Sequence, residues 1–141
     1  MTEPARRLLG VDFGERRTGL AATDPTGTIV VPLAVIAHHD IAACALAVAE
    51  VAIERSSERI IVGLPLDAEG SIGARARRTL EFVTLLQRAT RVEVVTCDEA
   101  FTTDLAHERL RAGGMKAAAR KKLADSVAAL VLLERYRAKR S

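Results

Sequence analysis

The first third of the chain carries short apolar runs separated by turn residues. Residues 8–13 read LLGVDF, and the stretches 18–23 and 28–36 are again rich in Leu, Val, Ile and Ala. Runs of this length predict buried strands. Asp24-Pro25-Thr26-Gly27 separates the second from the third, with proline at the second turn position and glycine at the fourth. Three strands joined this tightly form an antiparallel meander.

The period then changes. Residues 41–54 follow helical spacing with good helix formers, and Asp40 stands where an N-cap belongs. A short β-branched run at 59–63 predicts a fourth strand, and 64–73, with a proline and two glycines, a loop. Residues 74–88 predict an amphipathic helix and 92–97 a fifth strand. Thr102 or Thr103 can cap a helix that stops at Gly113-Gly114. The last helix covers 116–139; its centre, VAALVLL, is apolar on nearly every side and reads as buried.

The order βββ-α-β-α-β-α-α implies an α/β fold. Its five-stranded mixed sheet, three antiparallel strands then two parallel ones, is flanked by helices. The expectation is one domain over 1–141, frayed at about 1–5 and 138–141.

Composition narrows the function classes. Apolar residues make up 49% of the chain, enough for a core and too many for global disorder. No apolar run is long enough to span a membrane, and MTEPARRLLG has no signal-peptide core. Cys44 and Cys97 lack metal-ligand spacing, so the expected state is reduced thiols in a cytoplasm. Three Phe and one Tyr make an aromatic platform for single strands a poor reading.

Charge is distributed unevenly. Residues 1–70 carry 6 basic and 10 acidic side chains, whereas 71–141 carry 15 and 8. From Arg111 to Ser141 there are 9 basic and 2 acidic groups. A basic end of this kind suits a polyanion such as nucleic acid, although solvated helix faces would give the same composition.

The acids carry the chemistry. Asp12 closes the first strand, and a buried carboxylate with no partner is costly. Asp98 and Glu99 follow the fifth strand, which runs parallel to the first if both crossovers are right-handed. Active sites of open α/β sheets gather at the carboxyl ends of their strands. Asp125 lies where a basic helical turn gives way to the apolar segment; an ordinary surface pair with Lys121 would also account for it. Three separated segments that bring carboxylates together make sense if a divalent cation joins them. Hard oxygen ligands suit Mg²⁺ or Mn²⁺.

Four stretches, VDFGERRTGLAATDPTG, VGLPLDAEGSIGARA, DEAFTT and RKKLADSVAALVLL, resemble the YqgF (RuvX) family of ribonuclease H-like nucleases. They run in family order from about Leu8 to Tyr136. The resemblance implies a ribonuclease H-like fold and a metal-dependent phosphodiesterase, with Asp12, Glu99 and Asp125 as catalytic acids and metal ligands; which of Asp98 and Glu99 faces the metal stays open. It further implies 5′-end maturation of precursor 16S ribosomal RNA, or resolution of four-way DNA junctions. A nucleic-acid binding module without catalysis is the bland alternative. Two positions depart from the family pattern: Ala100 stands where arginine is usual, and Asp67 where asparagine is common.

The remaining candidates are substrate contacts. Gly14 and Gly19 leave room for a turn near the site, and Arg16 and Arg17 can meet phosphate. Ser71 and Arg75 stand where a loop enters a helix, a natural anion position; Arg77 and Arg78 follow, and helical spacing cannot put all three arginines on one face, so at least one reads as solvated. Lys116, Arg120, Lys121 and Lys122 flank Asp125, and such contacts fix the register of a nucleic acid without reading its sequence. His38, His39 and His107 show no zinc spacing and read as surface or capping residues. Cys97 reads as strand packing and Asp24 as turn chemistry. The subunit state is open between monomer and homodimer.

Overall fold

The computed structural model describes residues 7–98 and 117–140. Six strands and three helices follow in chain order. They are β1 (Leu8–Asp12), β2 (Arg17–Thr23), β3 (Val30–Pro32), β4 (Ile36–Ala37), α1 (Ile41–Glu54), β5 (Arg59–Leu64), α2 (Ala74–Ala89), β6 (Glu93–Asp98) and α3 (Ala117–Arg140). The helix expected between Thr102 and Gly113 lies outside the described residues.

The sheet runs β3-β2-β1-β5-β6, with β4 also on β2. β1 pairs antiparallel with β2 and parallel with β5, and β5 pairs parallel with β6. This is the mixed sheet that the sequence predicts, with one correction. The expected third strand, 28–36, is two short strands, so the sheet has six strands rather than five. Ala21 pairs with Pro32 and Thr18 with Ile36, so residues 33–35 face only 19–20. One extra residue on one strand is a β-bulge. The bulge is held from outside the sheet: Ser126 Oγ of α3 donates to the Leu33 carbonyl at 2.7 Å. Pro32 is tolerated because β3 is the sheet's outer strand here.

Strand alternation divides the core in two. Leu9, Val11, Leu20, Ile60 and Val62 face α1 and α2, where they meet Cys44, Val48, Phe82 and Leu86. Leu8 and Ile61 face α3 and meet Leu132, Leu133 and Tyr136. Helices on both faces explain why β1 and β5 read as continuous apolar runs. α1 is closed at its start by Asp40, whose Oδ1 accepts from the Ala42 amide at 3.1 Å. α2 buries Ala76, Thr79, Phe82, Val83 and Leu86, a helical stripe.

α3 runs opposite to β1 and β5. Its far end is pinned beside the start of β5, where Arg59 Nη1 donates to the Tyr136 hydroxyl at 2.9 Å. Arg137 grips the β2–β3 turn through the Gly27 and Thr28 carbonyls, at 3.0 and 3.2 Å. Midway, Gly10 of β1 lies under Ala129 and Leu133. The beginning of α3 is thereby aimed at the carboxyl ends of β1, β5 and β6.

Candidate active site

The carboxyl edge of the sheet gathers most of the candidate residues. Asp12, half-buried, is the last residue of β1. Leu8 and Gly10 face α3, so alternation turns Asp12 toward α3 as well. Its partner on β2 is Gly19. On the other side, Val11 aligns with Val62, which brings Gly63 level with Asp12. Neighbours on both flanking strands thus lack side chains in the row facing α3. Gly19 is a residue the sequence marks as leaving room; Gly63 was not singled out for this, because its level becomes known only from the β1–β5 register.

Asp98 ends β6 and is exposed. Gly63 aligns with Cys97 and Leu64 with Asp98, so Asp98 is one residue farther along than Asp12. Val95 and Cys97 pack on the α3 side. Asp98 therefore alternates to the opposite face and does not share the side of Asp12. Glu99 lies outside the described residues. Residue 125 is one turn before Ala129, in the half of α3 aimed at this edge, and its side chain is likewise outside the described residues. Among the described residues no three metal-ligating side chains converge.

The turn after Asp12 is built tightly. A Cβ on Gly14 would come within 2.2 Å of the Arg17 carbonyl oxygen, so only glycine fits. Beneath the turn lies a buried polar network. His38 Nε2 donates to the Gly14 carbonyl at 2.8 Å and lies 3.2 Å from Thr18 Oγ1. Thr18 Oγ1 accepts from the Gly14 amide at 3.3 Å and from the Cys44 thiol at 3.3 Å. Burial pushes the Cys44 thiol above its ordinary pKa, which the Thr18 contact only partly offsets. His38 is buried and stacks on Phe13, which stacks in turn on Phe82. The expectation of a surface or capping histidine is therefore corrected: the contacts that bury it come from residues 20 or more positions away.

Arg16 and Arg17 are exposed on this turn. Glu15 reaches across the edge to Arg78 of α2, 2.9 Å away, and Arg78 also holds Glu81. These two carboxylates, Glu81 first, raise the Arg78 pKa above its ordinary value. Of the three arginines entering α2, Arg78 is thus the structural one, while Arg75 and Arg77 are exposed.

The loop before α2 is organised by Asp67. Its Oδ1 accepts from the Glu69 and Ser71 amides at 3.1 and 2.7 Å, and its own amide donates to the Ser71 carbonyl at 3.0 Å. Gly70 closes the turn at φ +78°. Ser71 is exposed at the loop's end, and Gly73 caps α2 with no side-chain hydrogen bond. Lys116 lies outside the described residues; Arg120, Lys121 and Lys122 belong to the first turns of α3 and their side chains lie outside them too. Asp24 has the turn role expected of it, accepting from the Thr28 and Ile29 amides at 2.8 and 3.0 Å.

Comparison with known proteins places this architecture. The family model described as "RuvX: Holliday junction resolvase" matches residues 6–138. A protein of Acetivibrio thermocellus named "Putative pre-16S rRNA nuclease" is 34% identical over 132 residues, 92% of this chain and 94% of its own length. A Synechococcus protein (strain JA-2-3B'a(2-13)) of the same name is 37% identical over 128 residues, 91% of this chain and 75% of its own. Among solved structures, Thermus thermophilus RuvC superposes with a TM-score of 0.56 at 18% identity, over 94% of this chain and 96% of that one. The fowlpox virus resolvase bound to a Holliday junction gives 0.54 at 12%, over 92% and 95%. At such identities the likeness concerns the fold, which is ribonuclease H-like.

Proposed function

The chain belongs to the RuvX family, and from that premise we propose that it is a metal-dependent endonuclease that matures the 5′ end of precursor 16S ribosomal RNA. The observation that carries the reading is the setting of Asp12. It is a carboxylate at the carboxyl edge of the sheet, with Gly19 and Gly63 level with it on the flanking strands and turned to the face that α3 covers.

Hard oxygen donors fit Mg²⁺ or Mn²⁺. Asp12, Glu99 and Asp125 are the residues that would hold the ion. Asp98 turns to the other face, which favours Glu99 over its neighbour. When bound, such an ion supplies Lewis acidity and an activated water to phosphodiester hydrolysis. The chain's own residues then position the substrate. Arg16 and Arg17 take the phosphates beside Asp12. Ser71 and Arg75 bind at the entry to α2, and Lys116, Arg120, Lys121 and Lys122 bind at the entry to α3. Contacts of this kind are electrostatic and weaken with salt. We place the reaction in the cytoplasm, where ribosomal precursors are made and free thiols stay reduced.

The RNA substrate is favoured by the names of the relatives. Four-way DNA is the second reading, favoured by the family model's description. The test runs labelled precursor 16S RNA and a four-way junction side by side with Mg²⁺, Mn²⁺ or EDTA, using wild type and Asp12→Asn. Cutting of the RNA alone, lost with EDTA and in the variant, is the expected result. Cutting of the junction alone moves the function to the second reading. Salt-sensitive binding with both substrates intact would leave a binding module and overturn the enzyme.

A further inference from the structure

We propose that His38 is a positioning residue for the cleavage reaction, fixing the turn that joins Asp12 to Arg17; the inference rests on the nuclease reading given above. His38 holds this turn at two places. Its side chain donates to the Gly14 carbonyl at 2.8 Å, and its backbone amide donates to the Arg16 carbonyl at 2.9 Å. The ring also stacks on Phe13, the residue next to Asp12, with centroids 5.9 Å apart. Three consecutive contacts therefore bear on the segment between the proposed metal ligand and the proposed phosphate contacts.

The chemistry of the network fixes the form of the ring. A carbonyl only accepts, so Nε2 carries the proton. Nδ1 is buried and has no hydrogen-bond partner among the described residues. The hydrogen-bonded edge of the ring is therefore the one that faces Gly14 and Thr18. A packing role alone would be filled better by an apolar side chain of the same volume. Of the two ring nitrogens, Nε2 is the one with partners among the described residues, and it is the one that grips Gly14.

The turn has no slack of its own to absorb the loss. Gly14 already touches Arg17 too closely for any Cβ, and its amide is committed to Thr18. Without the His38 contact the Gly14 carbonyl keeps only the longer bond from the Thr18 hydroxyl, at 3.4 Å. A displacement of about 1 Å beside reacting groups costs about 100-fold in rate. Exposed arginines on long side chains retain their phosphates through such a shift, so the loss falls on kcat rather than on affinity.

The experiment compares wild type, His38→Leu, His38→Gln and His38→Asn on whichever substrate the wild type cuts. It records kcat, binding of uncut substrate in EDTA, thermal melting, and amide exchange at residues 14–18. The glutamine amide reaches where Nε2 lies; the shorter asparagine does not. We expect His38→Leu and His38→Asn to lose about 10- to 100-fold in kcat and His38→Gln to stay within about threefold of wild type, with affinities little changed. Faster exchange of the 14–18 amides should accompany the loss. Equal kcat in wild type and a folded His38→Leu overturns the proposal. Should the leucine variant not fold, equal kcat in the glutamine and asparagine variants overturns it. A wild type that cuts nothing overturns the nuclease reading itself, an outcome distinct from both.

Discussion

Gly10 and Ala129 meet with no space between strand and helix: a Cβ on Gly10 would stand 3.0 Å from the Ala129 carbonyl oxygen and 3.2 Å from the Leu133 Cβ. The glycine allows α3 to lie directly on β1, one turn from residue 125. Gly10→Val should therefore destabilise the protein by about 1–3 kcal/mol, the usual range for overpacking a filled site. Urea unfolding midpoints measure this. A variant as stable as wild type would mean that α3 can lift away freely.

Asp67 departs from the asparagine common in the family, yet its Oδ1 does what an amide oxygen could also do, accepting from the Glu69 and Ser71 amides. Asp67→Asn should leave stability within about 0.5 kcal/mol of wild type, whereas Asp67→Ala should cost about 1 kcal/mol through the lost loop hydrogen bonds. Removing the negative charge beside the α2 entry should also tighten nucleic-acid binding at low salt. Melting curves and anisotropy titrations check the two effects separately.

Asp24 gives stability a pH dependence of definite sign. The Thr26 hydroxyl, then the Ile29 and Thr28 amides, hold its pKa below the ordinary carboxylate value. A carboxyl that is more acidic folded than unfolded contributes fully above its unfolded pKa, about 4. That contribution is lost as pH falls through the lower folded value. The melting temperature of wild type should exceed that of Asp24→Asn at pH 7 by a margin that shrinks below about pH 4. A margin constant from pH 7 to pH 2 would refute the assignment.

The two thiols should react at very different rates. Cys44 is fully buried and its thiol is pushed up by burial, while Cys97 is only partly covered. Thiol titration of the native protein should show one fast equivalent, with the second appearing on denaturation. Two fast equivalents would place Cys44 in a segment that opens readily.

What could be read from the sequence was local in origin. The α1 boundaries and the Asp40 cap were legible because period and cap are set within one turn. So were the strand order and the place of Asp12, since apolar runs and right-handed crossovers fix them. The third strand was read as one because the bulge is held by Ser126, 93 residues away. The burial of His38 is equally non-local, resting on Gly14, Thr18 and Phe13. Gly63 acquires its meaning only from the register of β5 against β1. Glu99 and Asp125 rest on the motif alone, their side chains lying outside the described residues, whereas Asp98 turns away from the face of Asp12.

α3 also acts as a ruler. Its far end is fastened by Tyr136 to β5 and by Arg137 to the β2–β3 turn, while residue 125 lies in the first half of the same continuous helix. Inserting one residue between 126 and 135 would swing residue 125 about 100° around the helix axis and move it about 1.5 Å along it. A heptad insertion would nearly restore the phase but displace it about 10 Å. No change of length in that stretch keeps both the angle and the distance, so the anchors fix where residue 125 stands as well as which way its position faces.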